Sequence, residues 1–168
     1  MPFAQDLLEQ AYHLAKRERQ RPRQASLRRA VSTSYYALFH FLLGQVTANW
    51  RQEHQRDLLA RYFKHGPMAN ASKNQHTACA KYLGTDPPPA PGPHTDCMTH
   101  LFTVSLAFHQ AYQARETADY DNTRRWTRVQ ALAIIDQVDA AFKAWPQIRN
   151  HDLAQAYLLS LLGDPKGR

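Results

Sequence analysis

The stretch Ser26–Trp50, SLRRAVSTSYYALFHFLLGQVTANW, constrains the fold more than any other part of this chain. It contains no proline, and its only glycine, Gly44, lies well inside. Leu27, Ala30, Val31, Ser34, Leu38, Phe41 and Leu42 form one broad apolar stripe, which Tyr35, Tyr36, Phe39, Leu43 and Val46 widen. Apolar residues three and four apart over about seven turns predict a helix, and a stripe this wide predicts one packed on several sides. The expectation is an all-α bundle of five to six helices around this central helix.

The remaining segments fit that expectation. Pro2 to about Gln20 places Phe3, Leu7, Leu8, Ala11, Leu14 and Ala15 at helical spacing. The basic run KRERQRPR, with Pro22, ends that helix, and Ser26 is the expected cap of the central one. A shorter helix is expected over Glu53–Phe63, with Leu58, Leu59, Tyr62 and Phe63 inward and Lys64-His65-Gly66-Pro67 as its stop. Ser72–Tyr82 could add one or two turns. Gly84–Pro93 holds five of the ten prolines and reads as a loop inserted into one domain spanning 1–168. A helix from a Thr95 or Asp96 cap to about Arg115 then leads to a turn at Ala118–Asn122. A further helix, capped by Asp121 or Thr123, is expected to bury Trp126, Val129, Ala133, Ile134, Val138, Ala141, Phe142 and Trp145 and to stop at Pro146. A last helix starts at Asn150.

Composition narrows the function. The 168 residues are enough to bury a core, and the 43% hydrophobic content is that of a globular chain. The net charge is +7, and 15 of the 21 basic residues are arginine. Arginine binds phosphate through two parallel hydrogen bonds and stacks on bases, so RNA is an expected partner; the competing reading is a basic solvated surface. Two cysteines and no signal peptide predict a reducing cytoplasm. No apolar run approaches the roughly 20 residues that a membrane helix needs.

Several constellations could carry chemistry. Tyr36 and His40 are four apart and could share a hydrogen-bond network on one helix face, or be satisfied core residues. Arg115 could face a phosphate or pair with a nearby acid, with Asp119 or Asp121 capping a helix. Arg124, Arg125 and Arg128 form a basic set in which Arg124 and Arg128 would face together, beside Trp126 for packing or base stacking. His76-x2-Cys79 and His94-x2-Cys97, fourteen residues apart, have a spacing that a tetrahedral zinc could use; the competing reading, with no metal or other cofactor, is a loop flanked by incidental histidines and buried thiols. There is no glycine-rich phosphate loop, no Gly-x-Ser-x-Gly and no His-Glu-x2-His.

Arg28-Arg29-Ala30, then Tyr35-Tyr36-Ala37-x-Phe39-His40, then Arg115-x2-Ala118-Asp119-Tyr120-Asp121 resemble the HEPN superfamily over roughly Phe3–Phe142, the proline-rich insertion excepted. The resemblance implies a small helical bundle, often homodimeric, in prokaryotic RNA biology. Its members include metal-independent ribonuclease toxins, partners of minimal nucleotidyltransferases and non-catalytic RNA-binding or scaffold modules. Tyr36, His40, Asp119 and Tyr120 are the residues at its motif positions. The ribonuclease members carry an arginine, four to six residues, then a histidine, and none of the nine histidines here has an arginine so placed. Arg61 and His65, three residues between them, are the nearest pair, on one face if a helix reaches His65. The leading expectation is therefore a non-catalytic or weakly catalytic RNA-binding protein of a toxin–antitoxin or RNA-processing setting. A divergent metal-independent endoribonuclease and a protein-interaction scaffold are the alternatives.

Overall fold

A computed structural model describes residues 2–163. The chain is all-α, with seven helices among the described residues: α1 (Pro2–Lys16), α2 (Gln24–Ala48), α3 (Arg56–Ala60), α4 (His65–Leu83), α5 (Pro93–Tyr120), α6 (Arg128–Ile148) and α7 (Asp152–Ser160). A 3₁₀ turn at Glu53–Gln55 precedes α3. The expected central helix is central: α2 packs against α1, α5 and α6, and touches α3 and α7. Leu27, Val31, Tyr35, Leu38 and Leu42 are fully buried along it. Small residues complete the seams, with Ala4, Ala11 and Ala15 of α1 and Ala107, Ala111 and Ala118 of α5 all buried, so neighbouring helices approach closely. Hydrogen bonds fix the register between elements. Tyr12 Oη donates to Asp136 Oδ1 at 2.7 Å, Trp145 Nε1 donates to Gln45 Oε1 at 3.0 Å, and the Ser72 and Tyr157 hydroxyls meet at 2.8 Å in the interior. Among the described residues no helix is long and apolar enough to cross a membrane.

Several boundaries differ from the sequence expectations, each for a physical reason. Ser26 does not cap α2. Arg23 is the last extended residue, and the buried Ser26 hydroxyl instead donates to Glu18 Oε1 at 2.8 Å. The expected Glu53–Phe63 helix is reduced to α3, whose Leu58 is exposed, as is Tyr62 beyond it, while Phe63 is buried. Lys64-His65-Gly66-Pro67 starts a helix instead of stopping one. Pro67 falls in the first turn of α4, where backbone N–H groups have no intrahelical acceptor and a missing donor costs nothing. The expected turn at Ala118–Asn122 is helical as far as Tyr120, because Ala118 is buried and Arg115 pairs with Asp119 one turn on. Neither Asp121 nor Thr123 caps α6. Thr127 does, accepting from Gln130 N–H at 3.2 Å while Gln130 Oε1 accepts from Thr127 N–H at 3.1 Å. Val129, expected inside, is therefore exposed in the first turn. Pro146 does not end α6, which continues to Ile148 because Trp145 and Ile148 are both buried and the proline sits in the last turn. The proline-rich segment is irregular from Gly84 to Gly92, and Pro93 opens α5.

Candidate functional site

Two features are the candidates for a functional site. The first is built where α2, α4 and α5 meet. Consecutive tyrosines on α2 project about 100° apart, and Tyr35 and Tyr36 thereby line two sides of the Arg115 guanidinium. Tyr112 and Tyr120 of α5 complete the enclosure: the guanidinium carbon is 5.5 Å from the Tyr35 ring, 5.9 Å from Tyr36, 6.0 Å from Tyr112 and 5.9 Å from Tyr120. Arg115 also bonds Glu116, and its Nε lies 3.5 Å from Asp119 Oδ2, within ion-pair distance but off the hydrogen-bond direction. Ser32 Oγ donates to that same carboxylate oxygen at 3.3 Å. Arg115 is only 7% exposed, so it does not front the solvent as a phosphate ligand would. It pairs with two nearby, partly exposed acids, the second of its two sequence readings.

His65, the first residue of α4, stands on the edge of this enclosure. Its Nδ1 is 2.6 Å from the Tyr35 hydroxyl, and its ring lies 4.4 Å from that of Phe39. Burial pushes the Tyr35 phenol far above its usual range, so it stays protonated. It has no other acceptor among the described residues; donating to Nδ1 assigns the imidazole proton to Nε2. Burial, and then the Arg115 charge, hold His65 below the usual imidazole range, so at neutral pH this is an uncharged imidazole beside a permanent cation. The expected pairing of His65 with Arg61 on one helix face does not form. α3 ends at Ala60, Phe63 turns inward, and exposed Arg61 is left on the far side of the break. Nor do Tyr36 and His40 share a hydrogen-bond network. Tyr36 leans toward Arg115 and sets its ring 5.9 Å from His65, while Phe3 of α1 claims His40 in an edge contact at 5.0 Å.

The second feature is a basic end. Arg128, at the start of α6, donates to the carbonyls of Ala15 at 3.2 Å and Arg19 at 3.1 Å, and also to that of Glu18. Arg28 of α2 donates to the carbonyls of Ala118 and Asp121, both at 2.8 Å, and Arg124 at 2.6 Å. Gln24 bridges to both backbone groups of Trp126, at 2.8 and 2.9 Å. These bonds hold the connection after α1 beside the connection after α5. Arg17, Arg19, Arg21 and Arg23 of one, and Arg124 and Arg125 of the other, are all exposed there. The acids in the two connections are engaged: Ser26 holds Glu18, and Thr123 holds Asp121, each below its usual carboxylate range. Of the arginines expected to bind nucleic acid, Arg124 and Arg125 face solvent, whereas Arg115 and Arg128 are internal ties. Arg124 and Arg128 do not share a helix face, since only Arg128 is helical. Trp126 is buried with Leu27, Val31, Ala114 and Ala131, which removes it as a base-stacking platform; Arg124 lies over its ring at 5.8 Å.

The two histidines of the His/Cys repeat turn to different neighbours. Cys79 and Cys97 are buried free thiols, His76 faces His109 with ring centres 5.4 Å apart, and His94 faces Tyr82 at 5.1 Å. Among the described residues no group of three His, Cys, Asp or Glu side chains could hold a metal ion. Comparison with protein-family models, curated proteins and solved structures finds no match to this chain.

Proposed function

We propose that this chain is a HEPN-like helical protein that binds RNA through its basic end. The setting is cytoplasmic RNA processing or a toxin–antitoxin pair, with the chain acting as a homodimer or beside a nucleotidyltransferase partner. The observation that carries this reading is the pairing of two connections into one surface bearing six exposed arginines, beneath which Arg28 and Arg128 serve as ties. Tyr36, Asp119 and Tyr120, the motif residues around Arg115, support it in another way: they hold a cation that is already paired with acids. Arginine contacts to phosphate release counterions, so affinity should fall steeply with salt. The test is fluorescence anisotropy of a labelled single-stranded RNA titrated at several KCl concentrations. The expected outcome is a steep log–log slope that flattens when Arg17, Arg19, Arg21, Arg23, Arg124 and Arg125 are changed to glutamine. Affinity that ignores salt, or survives those changes, removes the proposal.

One observation favours a second reading, a divergent metal-independent endoribonuclease: a neutral imidazole, His65, stands beside a permanent cation, Arg115, instead of Arg61. In such a reaction the imidazole would take the 2′-hydroxyl proton while the guanidinium steadied charge on the phosphate. Against it, Arg115 is already paired with Glu116 and Asp119. Structured RNA incubated with the protein in EDTA distinguishes the two. Intact RNA supports the binding reading; cleavage that His65→Gln abolishes, with the fold retained, supports the nuclease.

A further inference from the structure

At the far end of α2 from the basic surface, the chain leaves apolar side chains uncovered. Leu159 is 68% exposed and Leu162 39% exposed; facing them, Trp50 is 46% and Tyr62 64% exposed. Two depressions meet at Leu162. One, of about 250 Å³, is lined by Val46, Trp50, Leu59, Leu158 and Leu159. The other, of about 1110 Å³, runs between α4 and the end of α7, past Arg61, Tyr62, Lys64, Asn70 and Asn74. Single exposed leucines are ordinary, but a contiguous apolar groove rimmed by polar groups is the shape of a docking site.

The charge around the groove narrows what fits it. Among the described residues its lining holds two cations, Arg61 and Lys64, and no acid. A second copy of this chain would present the same cations and a net charge of +7, so two copies repel here. The segment Asp164–Arg168, DPKGR, has no large apolar side chain to seat against Trp50 and Leu159. What complements the groove is an amphipathic helix of another protein, its apolar stripe flanked by glutamate or aspartate. We propose that the groove between α3, α4 and α7 docks such a helix. The 25 residues of α2, at about 1.5 Å each, put this groove about 35 Å from the basic end, so a protein partner and RNA can be held together.

The test uses a fluorescein-labelled helical peptide of about 18 residues with leucine along one face and glutamate on both flanks, and a twin with lysine replacing glutamate. Saturable binding of the glutamate peptide, at least about tenfold tighter than its twin, is expected. Leu159→Asp should weaken it at least about tenfold while leaving RNA affinity unchanged, and the double variant Arg61→Glu, Lys64→Glu should shift preference to the lysine twin. All three substituted residues are exposed, so folding is not at issue. Equal binding of the two peptides, no saturable binding of either, or indifference to Leu159→Asp overturns the proposal. So does a dimer that sediments as a monomer only in Leu159→Asp, because the groove would then be filled by a second copy.

Discussion

The Tyr35 hydroxyl and His65 Nδ1, 2.6 Å apart, join the middle of α2 to the first residue of α4. Both groups are held neutral at pH 7, the phenol by burial and the imidazole by burial and the Arg115 charge. Tyr35→Phe leaves Nδ1 without its donor and should cost about 1 kcal/mol, read from urea midpoints. The same burial depresses His40, His76 and His109 below the usual 6.5, so each binds a proton more readily unfolded than folded. Their contribution to stability is therefore intact above about pH 6.5 and is lost as pH falls through the lower folded values. Urea midpoints should drop between pH 7 and pH 5, while His65→Gln should show a shallower drop. A flat profile would mean these imidazoles titrate as they do in water.

Arg115 is the charge around which four tyrosines and two acids are arranged. Arg115→Met keeps most of the volume but leaves Asp119 and Glu116 without their cation. A loss of about 2–3 kcal/mol is expected in chemical denaturation, less than for a fully buried pair because Glu116 reaches solvent. Arg115→Lys should recover only part of this, since an ammonium lacks the planar fork that meets rings and carboxylates together.

The arginines of the basic end should divide into two kinds. Arg124→Gln with Arg125→Gln should leave the melting temperature unchanged and lower the single-strand salt slope by about 1.4, two phosphates at about 0.7 each. Arg128→Gln instead uncovers the carbonyls of Ala15, Glu18 and Arg19, and should lower the melting temperature. If both changes act alike on RNA affinity and on melting, the division between surface contacts and internal ties fails.

Burial raises the Cys79 and Cys97 thiols above their usual range, and both are fully enclosed. A thiol-reactive dye should therefore label native protein slowly and at a rate that tracks unfolding, rising sharply in denaturant. Rapid labelling of the native chain would place at least one thiol near solvent.

How far the sequence foretold the fold depended on the range of the interaction. The wide apolar stripe of Ser26–Trp50 is local information, and α2 follows it to within two residues at each end. Pro67 and Pro146 misled because a proline's cost depends on its place in the helix. Pro67 sits in a first turn that lacks acceptors, and Pro146 is overridden by the burial of Trp145 and Ile148. A glycine and proline just after His65 could equally have been read as a helix start. The Tyr35-Tyr36 and Arg115–Tyr120 motifs were visible, but the placing of His65 between them was not, because it depends on how α4 packs. The same holds for the basic end, where Arg17–Arg23 and Arg124–Arg125 become one surface only through bonds spanning most of the chain.

Four helix termini converge at that end: α1 and α5 finish there, and α2 and α6 begin there. Two carry the partial negative charge of unpaired carbonyls and two the partial positive charge of free N–H groups, so their dipoles largely cancel. Arg128 and Arg28 occupy the carbonyl ends, and Thr127 and Gln130 engage the N–H groups of the α6 start. The field that an approaching anion meets is thus set largely by exposed side chains. Its strength and even its sign can be rewritten at Arg17, Arg19, Arg21, Arg23, Arg124 and Arg125 without disturbing a single backbone bond.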